Sequence, residues 1–91
     1  MTLATYTKLV TQATQENEHT NAIKFIAMYV VEKHSRLSGV SKLIKNMDAL
    51  LTLQEMYNCM TPELYVIRKD LQAQIFSFLN EEETKAFNQA L

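Results

Sequence analysis

Three side chains in the sequence carry groups that nucleophilic, acid–base or metal chemistry would need: His19, His34 and Cys59. The two histidines are 15 positions apart, and no cysteine or histidine spacing matches that of a zinc site. Cys59 has no neighbouring base to activate its thiol, and His34 falls on an apolar helix face, which is typical of a core histidine. The single glycine excludes a glycine-rich phosphate loop. We therefore expect no enzymatic activity, no catalytic residue, no bound metal and no cofactor.

The densest cluster of basic residues surrounds that glycine, in the segment RLSGVSKLIK and just upstream of it. The cluster consists of Lys33, Arg36, Lys42 and Lys45. Such a cluster is either a solvated surface or a docking patch for an acidic partner or a phosphate group. The acidic second half of the chain would repel a nucleic-acid backbone, and the cluster contains no Phe, Tyr or Trp to stack on bases. We therefore treat the four cations as candidates for binding another protein with an acidic surface.

The overlapping segment HSRLSGVS resembles the turn of helix-turn-helix repressors of the lac-repressor type, in which VARLAGVS is a common form. The matching positions are Arg36, Leu37, Gly39, Val40 and Ser41. The resemblance implies a DNA-binding regulator whose second helix enters the major groove, with Lys42, Lys45 and Asn46 as the exposed readers. That family buries an apolar residue six positions after the glycine, where this chain has Lys45. A DNA-binding regulator that uses residues 34–46 is the alternative to a protein-binding one.

Methionines and aromatic residues that lie off the main apolar stripes are a second candidate binding feature. Methionine fills irregular cores, but it also adapts to partners on binding surfaces. A helix at the edge of a small bundle needs one apolar face, so a second apolar face indicates either a central helix or a partner. The residues concerned are Met56 and Met60, near the end of the third predicted helix, and Tyr65 and Phe76 in the fourth. We predict that they contribute to partner binding.

The composition predicts a globular protein made almost entirely of helices. Hydrophobic residues make up 47% of the 91 residues and charged residues 21%, the balance of a folded chain rather than a disordered one. The chain has one glycine and one proline, where average usage would give about six and about five. Because hairpins and tight turns depend on these two residues, their scarcity indicates long helices and few connections. A chain of this length favours one domain, residues 1–91.

The charge is distributed unevenly along the chain. The net charge is −1, but residues 1–45 carry a net charge of +3 and residues 46–91 a net charge of −4. Such asymmetry can orient a partner or pair two copies head to tail, so a homodimer is one state that we consider. The single cysteine, the absence of a signal-peptide pattern and the absence of a long apolar run predict a cytoplasmic protein with no membrane contact.

The spacing of apolar residues predicts a compact all-α bundle of four to five helices. The helices are expected at about 2–15, 21–37, 42–59 and 62–79, with a short fifth helix around Phe87. The expected capping signals are Thr20 or Asn21, Ser41, Thr61 before Pro62, and Asn80 with Glu83. Gly39 is expected to end the second helix in a left-handed conformation. The core stripe of the fourth helix is expected to be Leu64, Ile67, Leu71, Ile75 and Phe78.

Together these observations favour a small, non-enzymatic protein that binds another protein through preformed helix faces. It would act as an adaptor, an inhibitor or an immunity-type antagonist, by steric or electrostatic occlusion. A bundle that holds a small apolar ligand between its helices is a third, more distant hypothesis.

Overall fold

The computed structural model describes residues 2–34, 36, 38–57 and 61–91. Its five helices are α1 (Leu3–Gln15), α2 (His19–His34), α3 (Val40–Tyr57), α4 (Pro62–Phe76) and α5 (Glu81–Ala90). Helices make up 84% of the described part of the chain, in which no strand occurs. The predicted all-α bundle of four to five helices is therefore confirmed.

The starts of α4 and α5 follow the local signals in the sequence. The Thr61 hydroxyl accepts a hydrogen bond from the backbone N–H of Leu64 at 3.2 Å, and Pro62 occupies the first helical position. At the start of α5 the Asn80 side chain accepts from the Glu83 N–H at 2.8 Å, while the Glu83 carboxylate accepts from the Asn80 N–H at 3.0 Å. Both predicted caps are confirmed. Each involves residues only three positions apart, so the local sequence was sufficient to predict it.

The connection between α1 and α2 is formed by Asn17, whose φ of 59° lies in the left-handed region. The Asn17 N–H donates to the Thr14 carbonyl at 3.1 Å, and the Glu18 N–H donates to the Ala13 carbonyl at 2.8 Å. This pair of bonds satisfies the last carbonyls of α1, and asparagine tolerates the conformation better than most residues. The chain can therefore enter α2 at His19, so the predicted cap at Thr20 or Asn21 is wrong.

The turn between α2 and α3 contains Gly39 with a φ of +90°, a backbone conformation that residues with a Cβ rarely adopt. The expected left-handed conformation is confirmed, but α2 ends at His34, so the prediction that Gly39 ends this helix is wrong. The Gly39 carbonyl accepts the first hydrogen bond of α3, from the Leu43 N–H at 3.0 Å. Gly39 itself therefore precedes the helix and Ser41 lies inside it, so the predicted capping role of Ser41 is wrong.

The core lies between α2 and the helices around it. α2 packs against α1, α3 and α4, while α1 also packs against α5 and α3 against α4. Because α2 has neighbours on several sides, its buried residues are not confined to one stripe. The largest fully buried side chains are Val10, Ile26, Val30, Leu43, Leu50, Ile75 and Phe87.

The core stripe of α4 is narrower than its sequence predicts. Leu64, Leu71 and Ile75 are buried as expected, and Phe78 is half-buried beyond the end of the helix. Ile67 is 40% exposed, so its predicted place in the core is wrong. At about 100° per residue, Ile67 lies roughly 60° to one side of the stripe that α2 and α3 cover. An apolar residue at that edge matches the helical period but keeps much of its surface exposed.

Candidate functional site

One side of α3 faces solvent along its whole length. The buried stripe of this helix is Val40, Leu43, Met47 and Leu50. The opposite side, which we call the outer face of α3, consists of Lys42, Lys45, Ala49, Thr52 and Met56, all exposed. Steps of three and four residues keep these side chains on one side of a helix. Three sequence-predicted binding residues, Lys42, Lys45 and Met56, therefore share one surface about 21 Å long at 1.5 Å per residue.

The N-terminal end of this surface is strongly basic. Lys33 at the end of α2 and Arg36 in the turn are exposed, as are Lys42 and Lys45. Lys33 lies next to Glu32 and helps to lower the pKa of its carboxyl, whereas the first turn of α3 contains no acidic residue. Solvent and salt weaken the mutual repulsion of these cations, and an acidic partner would relieve it further. All four members of the predicted basic cluster are exposed, at the end of α2, in the α2–α3 turn and in the first two turns of α3.

The C-terminal end of the same surface is apolar. Met56 is 72% exposed, the highest value among the large hydrophobic side chains that the structure describes. The predicted contributor Met60 lies outside the described residues, as does Cys59. The outer face of α3 therefore changes from basic to apolar along the helix.

A second exposed feature lies on α4, where Tyr65, Val66 and Ile67 follow one another. Tyr65 is 46% and Val66 58% exposed. The guanidinium carbon of Arg68 lies 5.1 Å from the centre of the Tyr65 ring, and Nζ of Lys69 lies 5.5 Å from it. Both distances are within the range of cation–π attraction. We call these three residues, Tyr65, Arg68 and Lys69, the Tyr65 cluster.

The remaining predicted residue on α4, Phe76, lies at the end of the helix. Its side chain is half-buried and packs against the core, so it is not part of an open apolar face. Phe76, although it lies off the main apolar stripe of α4, therefore contributes to packing against the core.

An open apolar groove between α1, α2 and α3 was not predicted from the sequence. Its volume is about 310 Å³. Its apolar lining is Tyr6, Ala27, Met28, Val31, Ile44 and Met47, and its charged rim is Lys24, Glu32 and Asp48. We call this feature the apolar groove. The sequence did indicate an apolar Met28 on the side of α2 away from its main stripe. It could not indicate a groove, because residues of three helices form it.

The Tyr6 side chain links the floor of the groove to its rim. The Tyr6 hydroxyl donates a hydrogen bond to Oε2 of Glu32 at 2.6 Å. That hydrogen bond, together with burial of the ring and the negative charge of Glu32, raises the pKa of Tyr6 to about 12. The phenol therefore keeps its proton at neutral pH and holds the carboxylate of Glu32 at the rim.

Among the residues that the structure describes, Glu83 is a buried acid, and the sequence indicated it only as a helix cap. Its carboxylate accepts hydrogen bonds from the Tyr29 hydroxyl and from the Asn80 N–H, and its Oε1 lies 3.4 Å from Nε2 of His34. Burial alone would raise the pKa of Glu83, but these hydrogen bonds and the nearby His34 imidazole lower it overall. His34 was predicted to be a core histidine. It is one-quarter exposed and packs edge-on to the Tyr29 ring.

No family model, curated protein or solved structure matches the chain. Within the described ranges, no three His, Cys, Asp or Glu side chains are grouped so that they could hold a metal ion. In the same part of the chain, no helix has both the length and the apolar character needed to cross a bilayer. What the protein binds must therefore be inferred from its own surface.

Proposed function

We propose that this protein is a small, non-enzymatic regulator that binds another protein through the outer face of α3. One observation carries the proposal: the same face presents the exposed cations Lys42 and Lys45 at one end and the exposed side chain of Met56 at the other. Protein interfaces commonly combine an apolar anchor, which is buried on binding, with charged groups around it that select and orient the partner.

The charge of this face supports a partner with an acidic surface. Lys33 and Arg36, both exposed, extend the basic end beyond α3. An acidic partner would remove the repulsion among the cations and would be attracted before contact. Met56 would then give apolar contact area, and its flexible side chain can adapt to the shape of the partner.

The mechanism that we propose is occlusion of the partner's surface by a preformed helix. The outer face of α3 is fixed by the buried stripe on the other side of the same helix, so little backbone ordering would oppose binding. An adaptor, an inhibitor and an immunity-type antagonist all act in this way. The identity of the partner decides among them.

A DNA-binding regulator would use the same cations, with Lys42 and Lys45 facing the bases. One observation favours the protein partner: Lys45 is exposed at the position where the helix-turn-helix resemblance requires a buried apolar residue. Titration of duplex fragments from the host genome separates the two functions. We expect no affinity tighter than the ~10⁻⁴–10⁻⁶ M range of non-specific binding at physiological salt. Sequence-selective binding tighter than ~100 nM would establish the DNA function instead.

Affinity capture from host extract tests the protein-binding function. We would compare the wild type with the double variant Lys42→Glu and Lys45→Glu, and with the control Lys8→Glu and Lys85→Glu. All four lysines are exposed, and both double variants change the net charge equally. We expect the first variant to lose a partner that the wild type and the control retain. Equal loss in both variants would show that only overall charge matters, and no loss in either would contradict the proposed face.

A further inference from the structure

The middle of the outer face of α3 is formed by two small side chains, those of Ala49 and Thr52, both exposed. The Thr52 hydroxyl donates a hydrogen bond to the backbone carbonyl of Asp48 at 2.9 Å. Because this donor is already bonded within its own helix, a partner can bury Thr52 without leaving the hydroxyl proton unsatisfied. The strip between the two lysines and Met56 is therefore shallow and needs no polar group from a partner.

The backbone chemistry of such a strip favours a helix as the element that covers it. Along the side of a helix the backbone N–H and C=O groups are bonded internally, so α3 offers none of them to a partner there. An extended segment on the strip would bury its own backbone groups without partners, which costs free energy. Strand addition needs a sheet edge, and no strand occurs in the described part of the chain. A helix carries its hydrogen bonds within itself and avoids this cost.

The small residues also allow a close approach. Packed helices lie about 8–10 Å apart, and small side chains at the contact favour the lower end of this range. Larger apolar side chains of the partner would fill the space above Ala49 and Thr52, and the flexible Met56 would pack beside them. Lys42 and Met56 are 14 positions apart, about 21 Å at 1.5 Å per residue. A partner helix of about four turns covers this length.

The charges on α3 restrict where the partner carries its carboxylates. Lys42 and Lys45 are exposed at the N-terminal end of the face. Two carboxylates that are three or four positions apart lie on one side of a helix and can meet both lysines. Asp48, exposed at the rim of the apolar groove, lies three residues after Lys45 and about 60° to its side. It repels carboxylates placed further along, so the acids belong at one end of the partner helix and apolar residues over the rest.

We propose, on the basis of the function proposed above, that the partner binds through an amphipathic α-helix that packs along the outer face of α3. Two carboxylates at one end of that helix pair with Lys42 and Lys45. An apolar stripe over its remaining turns covers Ala49, Thr52 and Met56. The chemistry that this face recognises is thus an acidic helix end followed by an apolar helix face.

A second copy of this chain fits that description poorly. On α4, Glu63 and Asp70 lie about 10 Å apart, at 1.5 Å per residue, with the exposed Val66 between them. In either orientation one of these acids would lie over the apolar strip of α3. On α5, Glu81 and Glu82 are exposed, but the other exposed side chains of that helix are polar: Lys85, Asn88 and Gln89. The partner helix therefore belongs to another protein.

Two synthetic peptides of identical composition test the recognition of a helix. Each contains about 18 residues of Ala, Leu, Gln and Glu, roughly 27 Å of helix. The first has two glutamates at one end and its leucines on the same face; the second has the same residues with the leucines spread around the helix. We expect the first to bind with a dissociation constant between about 10 µM and about 1 mM, and the second at least about tenfold more weakly. NMR shifts of the backbone amides should centre on Ala49 and Thr52. No binding of the first peptide at about 1 mM, or equal affinity of the two, would overturn the proposal.

A bulky side chain in the strip tests the close approach. Ala49→Trp should weaken binding of the first peptide at least about tenfold, because the indole occupies the space of the incoming helix. Ala73→Trp is the matched control, since Ala73 is an exposed alanine on α4, and it should leave the affinity unchanged. Circular dichroism should show the same helix content in both variants. Unchanged affinity in Ala49→Trp would contradict packing of a helix on this strip.

Failure of this proposal can be distinguished from failure of the proposed function. Capture of a host protein that depends on Lys42 and Lys45 but tolerates Ala49→Trp would reject the helix and leave the proposed function standing. Capture that is insensitive to the two lysines would reject the proposed function itself. Sedimentation of the wild type alone should show a monomer at about 1 mM. Self-association that Lys42→Glu and Lys45→Glu abolish would identify a second copy as the occupant and overturn the proposal.

Discussion

Tyr29 donates its phenolic hydrogen to Oε2 of Glu83, a residue 54 positions further along the chain. Oε1 of the same carboxylate accepts the Asn80 N–H at 3.0 Å and so completes the cap of α5. Glu83 therefore caps the N-terminus of α5 and also links α5 to α2. The Phe87 ring, whose centre lies 5.3 Å from that of Tyr29, packs one turn further along α5.

We predict that the Tyr29–Glu83 hydrogen bond couples α5 to α2 energetically. Tyr29→Phe leaves the buried carboxylate without one of its donors and should lower the free energy of unfolding by about 1–3 kcal/mol. In a Glu83→Gln background the same change should cost less, because a neutral acceptor loses less. Urea denaturation of the four proteins in the double-mutant cycle measures the coupling. A coupling energy near zero would contradict the prediction.

The lowered pKa of Glu83 predicts a loss of stability in acid. A carboxyl whose pKa is lower in the folded than in the unfolded state stabilises the fold above its unfolded pKa of about 4.3. That contribution disappears as the pH falls through the folded-state pKa. Glu83→Gln retains a side chain suited to the capping box but does not titrate. Urea midpoints between pH 7 and pH 2.5 should therefore fall more steeply for the wild type than for this variant, and parallel curves would be inconsistent with the prediction.

The raised pKa of Tyr6 predicts the opposite behaviour in alkali. Because the pKa of Tyr6 is raised from its ordinary value near 10 to about 12, the folded chain holds this proton more tightly than the unfolded chain. The resulting stability is complete below about pH 10 and is lost as the pH rises towards about 12. Tyr6→Phe should remove this part of the alkaline loss. The check is a comparison of urea midpoints of the two proteins from pH 9 to pH 12.

The two apolar sides of α4 should respond differently to truncation. Leu71 is buried among the core residues, so Leu71→Ala should lower the free energy of unfolding by about 2–5 kcal/mol. Ile67→Ala, on the exposed edge of the helix, should cost less than about 1 kcal/mol. Chemical denaturation measures both, and similar losses for the two variants would mean that Ile67 is buried by a contact outside the chain.

The sequence predicts features that depend on neighbouring residues and misses those that depend on distant ones. The Thr61–Pro62 and Asn80–Glu83 caps are correct, because each acts within one helical turn. Ile67 is placed wrongly, since helical period alone does not say how wide a stripe the neighbouring helices cover. The caps expected at Thr20 and Ser41 are wrong because Asn17 and Gly39, both with positive φ, allow the next helix to begin earlier.

Among the candidate binding surfaces, too, some depend on neighbouring residues and some on distant ones. The outer face of α3 follows from helical spacing once the helix is accepted, so Lys42, Lys45 and Met56 could be named from the sequence. The apolar groove could not be predicted from the sequence, because residues of three helices line it and no local sequence pattern gives the angles at which these helices pack. The Tyr29–Glu83 contact is hidden for the same reason: nothing near either residue in the sequence indicates the other.

Photo-crosslinking from position 56 in the host tests the central claim most directly. Met56 would be replaced by a photoreactive phenylalanine, with the exposed residue Gln89 on α5 replaced likewise as a control. We predict a discrete protein adduct at position 56 that is absent at position 89. This adduct should also be lost when Lys42→Glu and Lys45→Glu are added. The same adducts at both positions, or an adduct that survives reversal of the two lysines, would contradict binding of a protein partner through the outer face of α3.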